Sequence, residues 1–194
     1  GRFRFGVGVG WNPVEYVALN QDFSNRGQRS EEQVEVMRAL WVEPHVTFKG
    51  RWHDIDDAGI NPLPLARSIP LWFGGHQDVT LKRIAKWGAG WIMLAYPQGE
   101  VADEAFAKLQ HFVEEAGRDP VDVGIEVWVS TAEGGRDDWK RAAEDWARSG
   151  VTHVTLNTVF GRMHHKRIPE KTLDSHLRAM EAYWHAVSDL AEGG

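Results

Sequence analysis

Residues 69–94, IPLWFGGHQDVTLKRIAKWGAGWIML, constrain this chain more than any other stretch. A proline-led apolar run (Pro70, Leu71, Trp72, Phe73) breaks at Gly74-Gly75. A helical pattern follows, with Val79, Leu81, Ile84, Ala85 and Trp87 expected mostly on one face, and Gly88-Ala89-Gly90 closes it before a second apolar run begins at Trp91. Strand, glycine turn, helix, strand is a βαβ unit, and such units cross over right-handedly between parallel strands. The glycine pair falls where a strand gives way to a helix N-terminus, and free N–H groups and the helix dipole favour an anion there. Gly-Gly at a strand end is more often a plain tight turn, so spacing alone leaves a phosphate site and a simple turn both open.

The rest of the chain extends the pattern. Phe3, Phe5, Val7 and Val9 alternate with Arg4, Gly6 and Gly8, which predicts a strand over 3–9 with a glycine-rich end that permits close backbone approach. Asn12-Pro13 opens a turn, and a short segment runs to about Leu19. A helix is predicted from Ser24 to Glu43, with Val34, Met37, Leu40 and Trp41 inward, Glu31, Glu32, Glu35 and Arg38 outside, and Pro44 as the stop. Residues 45–69 carry no sustained period; VTFKGRWHDI fits a hairpin-like excursion, and Asn61-Pro62-Leu63-Pro64 an extended return.

Beyond the central unit, helices are expected over 101–116 (Phe106, Leu109, Phe112, Val113 inward) and 137–149 (Trp139, Ala142, Ala143, Trp146 inward), with strands at 123–129 and 151–156. A last helix is predicted from Pro169 to about Leu190, striped by Leu173, Leu177, Met180, Trp184 and Val187. Five strands thus alternate with five helices in one domain spanning 1–194, which means a parallel sheet covered by helices. Periodicity leaves an open doubly wound sheet and a piece of a (β/α)8 barrel both possible.

Composition narrows the partners. A net charge of −6 argues against a nucleic-acid binder. The chain has no cysteine, which excludes disulfides and thiolate metal sites and fits a cytoplasmic location. No apolar run approaches the roughly 20 residues of a membrane span. No HxH or HExxH spacing supports a metal site, and no GxSxG supports a hydrolase nucleophile. Ten tryptophans are many for this length, and Trp11, Trp72, Trp91 and Trp128 lie at strand ends or beside glycines, where they suggest flat walls as well as core.

Several segments together carry a resemblance: GRFRFGVGVGWNPVEY, RGQRSEEQVEVMRALW, VTFKGRWHD, the NPLP linker, PLWFGG and GAGWIML, in this order and spacing. The chain resembles the bacterial luciferase-like oxidoreductases, flavin- or coenzyme F420-dependent enzymes on a (β/α)8 TIM-type barrel. The resemblance covers nearly the whole chain and is strongest over 1–96. It implies an α/β fold corresponding to the later five βα units of such a barrel, because family members carry further units ahead of the strand that opens here. Opening at Gly1 directly into a strand, the chain is expected to be a fragment or a truncated relative that completes its barrel another way. Dimerisation, common in the family, is expected to cover part of the surface left open.

In a parallel barrel the ligand sits at the C-terminal ends of the strands. The resemblance implies cofactor contacts from Gly8, Gly10 and Asn12, although Asn12 before Pro13 equally suits an Asx-turn. It also implies a phosphate cradle at Gly74, Gly75, His76 and Gln77, with Thr80 one turn on, and a wall at Tyr96. After Asn157-Thr158, five of the six residues 162–167 are basic or histidine, either a solvated loop or a clamp in which Arg162, Lys166 or Arg167 grips an anionic cofactor tail. The implied cofactor is coenzyme F420 or FMN; reduced flavin activates oxygen, whereas a deazaflavin passes hydride. His53 and His76 are the candidates for proton transfer to a small organic substrate. The rival expectation is a non-catalytic barrel remnant that binds cofactor weakly or only dimerises.

Overall fold

A computed structural model describes residues 2–191, which fall into two compact units, one ending at Phe73 and the other beginning at Gly74. The architecture is α/β, and every strand outside one hairpin runs parallel to the neighbour it pairs with.

The first unit contains β1 (Phe5–Val7), α1 (Pro13–Ala18), α2 (Arg26–Val42), β2 (Val46–Lys49), β3 (Asp54–Ala58) and β4 (Leu71–Gly74), whose last residue begins the second unit. β1 lies beside β4 with Phe5 opposite Leu71 and Val7 opposite Phe73. The predicted excursion is an antiparallel hairpin of β2 and β3 with a register shift between Val46 and Phe48. Pro13 starts α1 from an Asn12 cap, and Glu43, just before Pro44, caps the end of α2. Val34 and Trp41 are buried as expected, together with Ser30 and Val36, while Met37 and Leu40 are half-buried. Glu32 departs from its expected solvent position. Its carboxylate turns into the hairpin and accepts hydrogen bonds from the N–H groups of Arg51, Trp52 and His53 at 2.8, 2.9 and 2.8 Å. An unpaired turn of backbone donors attracts a carboxylate more strongly than water does when the site is partly shielded.

The second unit contains α3 (Asp78–Trp87), β5 (Gly90–Met93), α4 (Glu100–Glu115), β6 (Gly124–Val129), α5 (Arg136–Arg148), β7 (His153–Leu156) and α6 (Leu173–Ala191). β5, β6 and β7 lie side by side in chain order, without the reversal of a doubly wound sheet. The helix-facing core is largely aromatic. Trp91, fully buried, meets Phe106 edge-on at 6.0 Å, and Phe106 meets Trp146 at 6.1 Å. Leu81, Ile84, Leu109, Val113 and Val127 fill the space between. Trp72 and Trp91 are therefore core rather than wall, and Trp11 is exposed.

Two helix faces differ from expectation. Val79 is exposed, because at about 100° per residue it lies off the arc shared by Leu81, Ile84 and Trp87. α6 starts at Leu173 rather than Pro169, since Thr172 caps it: its Oγ1 accepts the Ser175 N–H at 3.2 Å. Its expected inward stripe is turned out, with Leu173, Leu177, Met180 and Trp184 exposed at 72, 51, 56 and 55%. α6 instead buries Ser175, Tyr183 and Ala186, and it packs on α5. Among the described residues no helix is long and apolar enough to cross a membrane.

Candidate functional site

In the second unit, the C-terminal strand ends gather most of the residues singled out from the sequence. Gly74 ends β4, and an added Cβ there would meet no atom within 4 Å. Gly75 has φ +110°, and a Cβ on it would lie 3.2 Å from Thr80 Cγ2, so only glycine sits there without strain. The turn is fixed from below by the buried Trp91, whose Nε1–H donates to the Gly75 carbonyl at 2.6 Å. α3 then starts at Asp78 with Gln77 as its cap residue, which makes no side-chain capping bond. Its first-turn N–H groups thus keep the positive end of the helix directed at the glycine turn. Thr80 is buried behind the turn, and His76 and Gln77 are exposed in front of it. The Gln77 amide donates to His76 Nε2 at 3.1 Å, and the His76 ring meets Tyr96 edge-on at 6.1 Å.

The end of β5 connects this turn to the loop after β7. Tyr96 donates its N–H to Met93 Sδ at 3.4 Å, and two residues earlier the Leu94 carbonyl accepts from His165 Nε2 at 2.9 Å. His165 lies 5.5 Å from the Trp128 ring, which Phe160 covers in a stacked arrangement at 5.4 Å and 24°. Asn157 organises the loop from inside. Only 5% exposed, it donates Nδ2–H to the carbonyls of Phe160 (2.8 Å) and Lys166 (3.3 Å) and accepts at Oδ1 from the N–H groups of Phe160 (2.9 Å) and Val159 (3.2 Å). Ile168, buried at the loop's far end, donates its N–H to the Thr158 carbonyl at 3.2 Å. The two histidines are drawn half inside, and burial, then the neighbouring His165, lowers the His164 pKa. Arg162, Lys166 and Arg167 stay exposed. Lys166 pairs with exposed Glu133 at 3.5 Å, a weak contact in water.

The first unit places the other candidates. Asn12 Oδ1 accepts the Val14 N–H at 3.2 Å and its Nδ2–H donates to Glu15 at 3.1 Å, so its side chain is occupied by the cap of α1. Gly10 has φ +75° and lies against the Tyr16 ring, whose hydroxyl donates to the Val9 carbonyl. Gly8 borders open space. His53 Nδ1 bonds Glu32 Oε1 at 2.8 Å, leaving Nε2 as its other ring nitrogen. Burial alone raises the Glu32 carboxyl, but the bonds from Trp52, the His53 ring and the Arg51 and His53 N–H groups outweigh it and bring it to about 2.

Asn157 and the Trp128–Phe160 stack are the parts sequence reasoning did not resolve into roles. An asparagine between a strand and a charge-rich loop was the available signal.

Comparisons with known proteins fit this geometry. A family model described as luciferase-like monooxygenase matches residues 1–189. An uncharacterised protein of Mycobacterium tuberculosis is 32% identical over 155 residues, which make up 79% of this chain and 51% of that protein. The chain spans about half the length of the first curated relatives it matches. Among solved structures, the monooxygenase RslO1 of Streptomyces bottropensis superposes with a TM-score of 0.71 at 16% identity, over 98% of this chain and 69% of that one. An F420-dependent secondary alcohol dehydrogenase, solved with an F420-acetone adduct, gives a TM-score of 0.62 at 18% identity, over 80% of this chain and 64% of that one. These likenesses establish the fold as that of barrel enzymes of this type.

Proposed function

The chain belongs to the luciferase-like monooxygenase family, and on that premise we propose that it is the cofactor-holding part of a flavin- or F420-dependent oxidoreductase acting on a small organic substrate. The glycine turn before α3 carries the reading. Gly74 leaves open space where a side chain would be, Gly75 takes a conformation that favours glycine, and the helix start behind them lacks a side-chain cap. A phosphate suits that donor set. Gly74, Gly75, His76 and Gln77 would hold it through backbone N–H groups, with Thr80 shaping the floor. Tyr96 and the Trp128-backed Phe160 offer flat faces to a fused ring system.

When bound, the cofactor supplies the redox step, hydride transfer from a deazaflavin or oxygen activation by a reduced flavin. The chain's own residues bind, orient and handle protons. His76 accepts the Gln77 amide at Nε2, so that nitrogen is its basic one, and release of Gln77 frees it for a proton. His53 is oriented by Glu32 at Nδ1 and presents Nε2 as its second site for proton transfer.

Between the two cofactors, F420 is favoured because Arg162 and Arg167 have no ion-pair partner among the described residues, and Lys166 has only Glu133. An anionic tail would supply partners, each well-formed charge-assisted bond being worth about 1.5–3 kcal/mol. The test is to titrate F420 and FMN separately into the parent chain and into the triple variant Arg162→Ala, Lys166→Ala, Arg167→Ala. Loss of F420 affinity by at least about tenfold, steeper at low salt and without loss of FMN affinity, is the expected result. Equal affinities in both proteins remove the clamp. Failure of both cofactors to bind favours the second reading, a non-catalytic remnant.

A further inference from the structure

The loop after β7 crosses the sheet rather than leaving it. It passes the end of β6 and reaches the end of β5, where His165 Nε2 meets the Leu94 carbonyl at 2.9 Å. A carbonyl only accepts, so this nitrogen carries a hydrogen whether the ring is neutral or charged. Trp128 of β6 lies along the path, with Phe160 stacked on it at 5.4 Å and the His165 ring 5.5 Å away. A turn closes the crossing: His165 donates its N–H to the Arg162 carbonyl at 3.0 Å, and Met163 takes φ +57°. That turn sets the His164 ring 4.1 Å from the His165 ring, both of them half-buried.

We propose that residues 158–167 are a proton-operated strap: His165 fastens the loop across the end of β6, and a proton on His164 unfastens it. The tie survives a proton at His165 Nδ1, because Nε2–H donates in both states. A proton on His164 instead sets a second cation against the first in a half-buried pair. Burial, then His165, lower the His164 pKa from its usual 6.5, so the fastened loop disfavours that proton. The surrounding charges give no relief. Arg162, Lys166 and Arg167 share its sign, and the carboxylates of Glu133 and Glu170 are paired with Lys166 and Arg178, each at 3.5 Å. The other rings at the borders are His176 of α6, whose Nδ1 bonds Thr158 Oγ1 at 2.8 Å, and His76, whose ring meets Tyr96. Because the His164 value is lowered by fastening, the open loop binds the proton more readily. Fastening is therefore complete above about 6.5 and weakens as pH falls below it. Opening disperses Phe160 and the three cations, so a cofactor held there would be released in acid; that last step alone rests on the cofactor site proposed above.

The strap is tested on the whole chain without ligand, so its failure is distinct from failure of the cofactor site. Nitrogen NMR of 15N-histidine-labelled protein at pH 8 should show His165 as the Nε2–H tautomer alone. Amide hydrogen exchange over 158–166, corrected for the chemical exchange rate at each pH, should quicken at least about threefold from pH 8 to pH 5, with α4 around Phe106 and Leu109 unchanged. His164→Gln, uncharged at every pH, should remove this dependence, and His176→Gln should keep it. His165→Ala should open the strap already at pH 8. A mixed His165 tautomer, pH-independent exchange, a dependence that survives His164→Gln or vanishes with His176→Gln, or a loop indifferent to His165→Ala overturns the proposal.

Discussion

Replacing Asn157 tests whether the loop after β7 is held from its interior. The side chain makes four hydrogen bonds, two as donor to Phe160 and Lys166 carbonyls and two as acceptor from Val159 and Phe160 N–H groups. At about 0.5–1.5 kcal/mol net for each, Asn157→Ala removes roughly 2–6 kcal/mol of local stabilisation. Val159 and Phe160 are exposed, so water recovers part of the loss, and the lower end, about 2–3 kcal/mol, applies. The loop can open without unfolding the sheet, so the cost should fall on local rather than global opening. Amide hydrogen exchange over 158–166 should therefore quicken by about 30- to 150-fold, at 1.36 kcal/mol per factor of ten. Exchange across the buried turn of α4 around Phe106 and Leu109 should stay as it was. Asn157→Asp keeps the two acceptor bonds and loses the two donor bonds, so its effect should be about half in free energy. Unchanged exchange in the loop refutes the role given to Asn157, and an equal increase everywhere shows that the loop does not open on its own.

Acid should release the hairpin from α2. The Glu32 carboxyl lies at about 2 against 4.5 for the free group, so its contribution is complete above 4.5 and is lost as pH falls through about 2. Hydrogen exchange of residues 50–53 should rise across that window, and Glu32→Gln should abolish the pH dependence there. Trp91→Phe removes the bond to the Gly75 carbonyl and part of a fully buried ring, so thermal unfolding should report a loss of about 1–3 kcal/mol. The same change should weaken cofactor phosphate binding, because it loosens the glycine turn; an unchanged affinity would falsify that link.

Much of the fold was legible because its signals are short-range. The run 69–94 contains a proline-led strand, a glycine break, a helix and a second strand, and the structure places β4, α3 and β5 there. The hairpin was legible from Phe48 and Trp52 alternating with polar residues, and its pairing of Phe48 with Ile55 follows. The site was legible only as segments. The glycines before α3 announce a turn, but its anchoring through Trp91, sixteen residues on, depends on which face of β5 meets α4. The basic loop reads as charge; that Asn157 folds it, and that His165 reaches back to Leu94, are long-range facts without a periodic trace.

Helix periodicity identifies which residues share a side, not what that side meets. In α2 the pattern counted Glu32 as solvent-facing because it is charged, yet four donors from the hairpin make that position a better place for a carboxylate than water. In α6 the pattern marks the large apolar stripe as the buried one, and the structure buries the side of Ser175, Tyr183 and Ala186 instead. Large apolar side chains that remain exposed are costly to leave in water. Hydrophobic pattern alone, which sees an apolar stripe but not the neighbour a side meets, cannot rank the two sides of such a helix.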